Sequence, residues 1–223
     1  MKPKLSEPAR QYLRQVRDLY GDEIYLDLKK NDPIPPSNPG DLDAFNLEIS
    51  ECQKCSLGKS RTKFVFGVGD PNANLLLVGE APGRDEDIKG EPFVGKSGRM
   101  LDKILRAIDR SREKDVFICN VLKCRPPENR DPLATEVEQC EPHLLNQIRL
   151  IKPKLIVSLG RVAGQTLLRV DKPLKSMRET IHDYHGIPLI VTYHPAALLR
   201  NENLKRPTWD DFKTIRDFLE IGR

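Results

Sequence analysis

Short apolar runs alternate with amphipathic stretches along most of this chain, and this pattern predicts strands that alternate with helices. Four runs have the length and aliphatic content of buried strands: Leu75–Val78, Asp115–Leu122, Lys154–Leu159 and Pro188–Thr192. Apolar positions at helical spacing predict four helices: Ser97–Asp109, Thr135–Ile151, Gly160–Leu168 and Pro207–Leu219. Such alternation predicts a three-layer α/β/α fold around a central four-stranded, mainly parallel sheet.

Residues 1–40 have a different pattern and predict a separate N-terminal segment. Apolar side chains recur at helical spacing over residues 7–20, with arginines on the opposite side, which predicts an amphipathic helix. Four prolines fall within Asp32–Asp41, which predicts an extended linker. We therefore divide the chain into an N-terminal helical extension with a Pro-rich linker at 1–40 and one α/β domain at 41–223. The predicted helix either docks on the domain, remains a loose extension or contacts DNA.

Composition and charge narrow the function classes. The charged fraction of 31% and the hydrophobic fraction of 38% are typical of a globular protein. The sequence has no apolar run near the roughly 20 residues of a membrane helix, and its N-terminus lacks the apolar stretch of a signal peptide. We therefore expect a cytoplasmic monomer with no membrane partner. Residues 1–51 carry 7 Lys and Arg against 10 Asp and Glu, and the remaining 30 against 23 make residues 52–223 the candidate for binding a polyanion.

Glycines and polar side chains follow the predicted strands at the points where the strands end. The first strand runs into Gly79–Gly83 and an acidic loop, the second ends at Asn120, the third at Ser158–Gly160, and the fourth just before His194. Because parallel strands bring their carboxyl ends to one edge of a sheet, we expect a ligand site there. The acidic loop after Gly83 has the composition of a nucleobase or small-molecule pocket, and equally that of an ordinary surface loop.

Four of the five cysteines have the spacing of a metal site. Cys52 and Cys55 form a C-x2-C pair, and Cys124 and Cys140 flank a long polar loop. Cys119 lies inside a predicted strand and is expected to be a buried core residue. Four thiolates suit either zinc or an iron–sulfur cluster, and four unrelated reduced thiols are the alternative. A metal would hold the polar loop against the N-terminal cysteine pair, where apolar residues are lacking.

Four further motifs occur in a fixed order along the chain: Gly79-Glu-Ala-Pro-Gly83, Pro92-Phe-Val-Gly95, Asn120-Val-Leu-Lys-Cys-Arg-Pro-Pro127 and His194-Pro-Ala-Ala-Leu-Leu199. Together with the cysteine spacing, they resemble the family four uracil-DNA glycosylases, the iron–sulfur branch of the uracil-DNA glycosylase superfamily. The resemblance runs from about Cys52 to the C-terminus and implies no role for residues 1–51.

The resemblance implies a four-stranded α/β/α domain that holds a [4Fe-4S] cluster on Cys52, Cys55, Cys124 and Cys140. It also implies that the protein acts on uracil-containing DNA and hydrolyses the N-glycosidic bond of deoxyuridine after flipping the base out of the stack. A function of a different class is the alternative. In that reading the chain is a non-catalytic nucleic-acid-binding protein with a structural four-Cys metal site.

The matched motifs imply a pocket for uracil. Phe93 would stack on the flipped base, and the Asn120 amide would pair with uracil O4 and N3–H, which cytosine presents in reverse. Glu86 matches an acidic residue near the region where thymine carries its methyl group. The backbone of Gly79–Ala81 and the His194 side chain would donate hydrogen bonds to the departing uracil anion.

Ala81 stands where the best-known branch of the superfamily has Asp, and alanine cannot activate the attacking water. Its neighbour Glu80 is either a catalytic carboxylate or a residue that shapes the turn, and the motif leaves both open. The resemblance also implies that the turn after His194 contacts DNA. Ala196, Leu198 and Leu199 would press into the minor groove and fill the space of the flipped base, and Arg200 would contact phosphate, with Lys205 and Arg206.

Overall fold

One six-stranded sheet organises residues 42–221, which are the residues that the computed structural model describes. The predicted helix at 7–20 and the linker Asp32–Asp41 lie outside the described residues. Four strands of the sheet run parallel to their neighbours and correspond to the four predicted ones: β2 (Leu75–Gly79), β3 (Val116–Asn120), β4 (Leu155–Leu159) and β6 (Ile187–Thr192). The α/β class is therefore confirmed.

The predicted count of four strands is too low, because an antiparallel strand lies at each edge of the sheet. β1 (Val68–Gly69) pairs with β3, and β5 (Ile181–Tyr184) pairs with β6, which gives the order β1-β3-β2-β4-β6-β5. β1 has two residues, and β5 carries polar, partly exposed side chains, so neither has the apolar run of a buried strand. β5 and β6 are joined by His185 and Gly186, whose positive φ values of 53° and 82° suit a tight hairpin turn.

Helices cover both faces of the sheet, because successive strand residues point to opposite sides. Leu76 and Val78 of β2 pack in a core with α1 (Leu42–Ile49) and α5 (Ala134–Ile151). Leu75 and Leu77 point the other way, into a core with two further helices, α4 (Lys96–Arg106) and α9 (Lys205–Ile221). The predicted three layers are therefore present.

The remaining helices are short and lie around the strand ends. They are α2 (Leu57–Ser60), α3 (Arg84–Lys89), α6 (Arg161–Leu168), α7 (Leu174–Met177) and α8 (Pro195–Arg200), with 3₁₀ turns at Pro127–Asn129 and Glu202–Leu204. Within the described range, none of the helices is long and apolar enough to cross a membrane.

Three local predictions differ from the structure. The acidic stretch after Gly83 was expected to be a loop, but part of it forms α3, whose first turn places carboxylates near free backbone N–H groups. Helix α4 begins at Lys96, one residue before the expected start at Ser97. Helix α5 begins at Ala134 rather than at Thr135, and the Glu136 carboxylate accepts the backbone N–H of Leu133, the residue before the helix, at 2.9 Å.

Candidate active site

A cavity of about 520 Å³ opens where β2, β3, β4 and β6 end, at the sheet edge expected for a ligand site. The predicted site residues that line it come from five separate parts of the chain: Glu80, Ala81, Glu86, Phe93, Asn120, His194, Ala196 and Arg200. The sheet register explains part of this assembly, because Gly79 is paired with Asn120 in the parallel ladder. The cavity therefore collects most of the predicted pocket.

Gly79 leaves the space in which two pocket side chains meet. A Cβ atom at this position would lie 2.3 Å from Asn120 Oδ1 and 2.9 Å from the Phe93 ring. Any larger residue would therefore displace Asn120, Phe93 or both. The backbones of the two segments are also joined here, since the N–H of Val121 donates to the carbonyl of Gly79 at 2.9 Å.

Lys123 holds the backbone of Asn120 from inside the protein. The Lys123 side chain is fully buried, and its Nζ donates to the Asn120 carbonyl at 2.7 Å and to Gln147 Oε1 at 2.6 Å. Gln147 in turn donates to the carbonyl of Phe66 at 2.9 Å. These bonds give the buried ammonium polar partners and hold the end of β3 in a defined position.

His194 and Phe93 both line the cavity, with the ring centroids 5.5 Å apart and the planes tilted by 31°. Its Nδ1 accepts the backbone N–H of Ala196 at 3.1 Å, as the N-cap of α8. Burial, and then the positive charge of Arg200, lower the His194 pKa to about 4. The ring is therefore neutral near pH 7, and the acceptor role of Nδ1 leaves the proton on Nε2, free to donate to a ligand.

Glu80 has an ionisation suited to proton transfer near neutral pH. Burial raises the Glu80 pKa to about 7; the negative charge of Asp131 adds to the rise, and the positive charge of Arg161 opposes it. Both residues line the same cavity as Glu80. A carboxyl group with this pKa exchanges protons readily at physiological pH.

Asp131 and Arg161 were not predicted as site residues. They form an ion pair of 3.4 Å at the cavity mouth, with side chains 68% and 51% exposed. Arg130 also lines the cavity and binds the Glu136 carboxylate through both terminal nitrogens. A sequence signal existed for Arg161, because it follows the strand-end glycine Gly160; Asp131 lies in a polar loop without such a signal.

Glu86 lines the cavity while its carboxylate binds the backbone of the Phe93 loop. Its Oε1 accepts the N–H groups of Val94 at 3.1 Å and Gly95 at 3.4 Å. A Cβ atom at Gly83 would lie 2.7 Å from Glu86 Oε2, so the glycine also allows the carboxylate to approach. Glu86 therefore holds the loop that follows Phe93 and also lines the cavity.

The two adjacent leucines of α8 differ in exposure. Leu199 is 45% exposed, whereas Leu198 is 2% exposed and lines a separate groove of about 240 Å³ between α4 and α9. The predicted DNA contact of Leu198 therefore needs correction, because its side chain is packed inside the protein. Ala196 and Arg200 line the cavity.

The cysteines predicted as metal ligands lie near one another, at one side of the cavity. Cys124 and Cys140 share a small apolar cluster with Leu122, and Cys55 and Ala81 pack against it. Because Ala81 also lines the cavity, this cysteine cluster lies directly behind the cavity wall. Burial raises the pKa of the Cys124 thiol and raises that of Cys140 to about 11.

The sulfur atoms receive hydrogen bonds from nearby nitrogens. The backbone N–H of Lys123 donates to Cys140 Sγ at 3.3 Å, and Arg61 donates to Cys124 Sγ at 3.4 Å. Cys52 Sγ lies 3.3 Å from His143 Nε2. As the side chains stand, the described residues contain no group of three or more His, Cys, Asp or Glu close enough together to hold a metal ion. Cys119 is fully buried in the core, which confirms its expected role.

Comparison with known proteins extends the similarity far beyond the short motifs. The family model described as "Uracil DNA glycosylase superfamily" matches residues 66–213. The chain is 44% identical over 182 residues to the type-4 uracil-DNA glycosylase of Archaeoglobus fulgidus, covering 78% of this chain and 91% of that protein. It is 41% identical to the type-4 enzyme of Sulfurisphaera tokodaii (79% and 84% covered) and 39% identical to that of Thermotoga maritima (80% and 95% covered).

Proposed function

Because the chain belongs to the uracil-DNA glycosylase superfamily, we propose that it hydrolyses the N-glycosidic bond of deoxyuridine in DNA, releasing uracil and leaving an abasic site. The observation that carries the proposal is that Asn120, Phe93 and His194 line one and the same cavity at the strand ends. A cavity of about 520 Å³ has room for one flipped nucleobase. We also propose that the protein acts as a cytoplasmic monomer.

Base selection is assigned to Asn120 and Phe93. Uracil offers O4 as an acceptor and N3–H as a donor, so one amide oriented by its surroundings satisfies both. Cytosine presents the opposite pattern, and each hydrogen bond left unmade in the cavity costs about 1–3 kcal/mol. Asn120 is 2% exposed, so water has little access to compensate a mismatch. Phe93 offers a face for stacking. Glu86 lines the cavity where the methyl group of thymine would lie and leaves less space for it.

Stabilisation of the leaving uracil is assigned to His194. Cleavage develops negative charge on the departing base, and donors already oriented toward it lower the barrier. A neutral His194 with its proton on Nε2 supplies such a donor to uracil O2. The backbone N–H groups of Gly79–Ala81 are candidates for additional donors.

Activation of water is assigned to Glu80, the residue next to Ala81. A carboxyl group with a pKa of about 7 is substantially ionised at physiological pH and still basic enough to take a proton from water. As an anion it also stabilises the positive charge that develops on the sugar. Arg161 opposes the rise in the Glu80 pKa and so keeps part of the population in this form.

Contact with DNA is assigned to the exposed part of α8 and the cavity mouth. Leu199 is the exposed apolar side chain of that helix and is proposed to press into the minor groove, with Ala196 beside the vacated space. Arg200 is proposed to bind phosphate, which makes the affinity dependent on salt. The partner is thus uracil-containing DNA.

The residues present fit a [4Fe-4S] cluster on Cys52, Cys55, Cys124 and Cys140. The supporting observation is chemical: three of these cysteines share one apolar cluster, and N–H groups of Lys123 and Arg61 donate to two of the sulfurs, as is usual around cluster thiolates. A bound cluster would supply cationic iron that keeps the thiolates ionised and cross-links two distant segments. The chain between Cys124 and Cys140 carries Arg130 and Asp131 to the cavity mouth.

The test is release of uracil from an oligonucleotide with a single deoxyuridine, read as alkali-labile cleavage at that position. We expect cleavage of single- and double-stranded substrates with uracil, and none when thymine or cytosine replaces it. Asn120→Ala and His194→Ala should reduce the rate by on the order of a hundredfold. A protein that binds DNA tightly without releasing a base would favour the non-catalytic alternative.

A further inference from the structure

Phe93 has a backbone conformation that bulky residues rarely adopt. Its φ is +54°, in the left-handed region that favours glycine. Such a conformation persists where the surroundings hold it, and it is common at ligand sites. The Phe93 ring is 6% exposed and lines the cavity, so its backbone conformation determines what face the ring presents there.

Arg112 holds the backbone of this residue from outside the cavity. One terminal nitrogen donates to the carbonyl of Pro92 at 2.8 Å, and the other donates to the carbonyl of Phe93 at 2.5 Å. Its Nε donates to Asp102 Oδ1 of α4 at 2.8 Å. All three guanidinium nitrogens are therefore engaged, and the fixed fork of the group matches two successive carbonyls.

The other side of the loop is held as well. Glu86 accepts the N–H groups of the two residues that follow Phe93. A Cβ atom at Gly98 would lie 1.6 Å from the Phe93 carbonyl oxygen, so the loop presses directly on the start of α4. Arg112 thus completes a clamp whose other parts are Glu86 and the close contact at Gly98.

We propose that Arg112 is a positioning residue for uracil recognition: it fixes the strained backbone of Phe93 and thereby the ring that stacks on the flipped base. The inference rests on the proposed function, because it requires the stacking role of Phe93. Arg112 is absent from the cavity lining, with a side chain 16% exposed, so it acts on the base through Phe93. Without the fork, Phe93 can relax toward negative φ, which moves the ring away from its stacking position.

The experiment compares single-turnover uracil release by the full chain and by variants with enzyme in excess. Arg112→Met keeps the length of the side chain but loses every donor, and we expect release on the order of tenfold slower. Arg112→Lys keeps the charge without the fork and should recover little of the rate. In a Phe93→Ala background, adding Arg112→Met should slow release by less than about twofold, because both substitutions remove the same function.

Two controls separate positioning from general damage. Arg106→Met removes the same charge from the exposed last residue of α4 and should release uracil at the wild-type rate. Affinity for an abasic oligonucleotide should be unchanged in Arg112→Met, because Phe93 has no base to contact there. If Arg112→Met fails to fold, Asp102→Asn loosens the same guanidinium and should slow release by about threefold, with no further effect beside Phe93→Ala.

The outcomes separate this inference from the proposed function. No uracil release by the wild-type protein would contradict the proposed function itself. If the wild type is active and Phe93→Ala is slow, a wild-type rate for Arg112→Met, or independent losses in the double variant, would overturn the positioning role. A wild-type rate for Phe93→Ala would remove the stacking role and the inference with it, while leaving the proposed reaction intact.

Discussion

Replacing Asp131 by Asn and Arg161 by Gln tests whether charges at the cavity mouth control the pH dependence of uracil release. The Glu80 pKa of about 7 is raised first by burial and then by Asp131, and Arg161 opposes the rise. If Glu80 takes a proton from the attacking water, its carboxylate is the active form, so the rate rises with pH through this pKa. The two substitutions remove opposite influences and should therefore have opposite effects.

The expected size follows from the Glu80 pKa and from the exposure of the two charges. With a pKa of about 7, the ionised fraction of Glu80 rises from about a tenth at pH 6 to about nine tenths at pH 8. His194, with a pKa of about 4, stays neutral over this interval. Asp131 and Arg161 are 68% and 51% exposed, so solvent screens both charges.

We therefore expect the midpoint to move by on the order of half a pH unit, down in Asp131→Asn and up in Arg161→Gln. At pH 6 this corresponds to release about threefold faster in the first variant and about threefold slower in the second. The assay is single-turnover release from a single-stranded oligonucleotide between about pH 6 and pH 8, with saturating enzyme so that weaker DNA binding does not enter the rate.

Two variants serve as controls for this experiment. Glu80→Gln should be slow and independent of pH in the same range, since the titrating group is gone. Arg169→Gln removes a charge from a side chain that is 76% exposed and pairs with Glu141, away from the cavity, and should keep the wild-type midpoint. Midpoints that do not move, or that move in the same direction in both mouth variants, would refute the assigned role of Glu80.

Three further predictions concern packing, DNA and the cysteines. Gly79→Ala should reduce uracil release by at least about tenfold, because the new Cβ would lie 2.3 Å from Asn120 Oδ1; a wild-type rate would contradict the tight pocket. Leu199→Ala should slow release from double-stranded DNA more than from single-stranded DNA, whereas Leu198→Ala should lower the free energy of unfolding by about 2–5 kcal/mol, measured by denaturant. Cys140→Ser should remove the absorption of the proposed cluster at about 400 nm and lower the melting temperature. A colourless wild-type protein with stoichiometric zinc would instead indicate a zinc site.

The sheet and the family were predictable because both depend on contiguous sequence signals. The four parallel strands are short apolar runs, and the match over residues 66–213 confirms the superfamily expected from the motifs. Glu80, Asn120 and His194 were predictable for a related reason, since each lies at or just after the end of a strand and parallel strands end at one edge. Phe93 and Glu86 lie far from a strand end and were expected only from the resemblance to the family. The edge strands β1 and β5 were missed because pairing to a neighbour, rather than burial of an apolar run, makes them strands.

What could not be predicted depends on contacts between residues far apart in the chain. Leu198 and Leu199 are identical in type and adjacent, and the packing of α8 against α4 and α9 decides which one is buried. The pKa of Glu80 likewise depends on Asp131 and Arg161, which are more than 50 positions away in the sequence. These long-range effects act on residues that short-range motifs had already located.

Arg112 illustrates how such contacts add function to a motif. The motif Pro92–Gly95 contains the stacking side chain, but nothing within it accounts for a phenylalanine at φ +54°. The account comes from Arg112, 19 positions later, which binds two carbonyls of that motif and is itself oriented by Asp102. Because backbone strain at Phe93 must be offset by contacts that are lost when the loop relaxes, a motif residue and its distant clamp form one functional unit. The non-additivity of the Phe93 and Arg112 substitutions in the rate of uracil release therefore measures how strongly a residue outside the cavity acts through one that lines it.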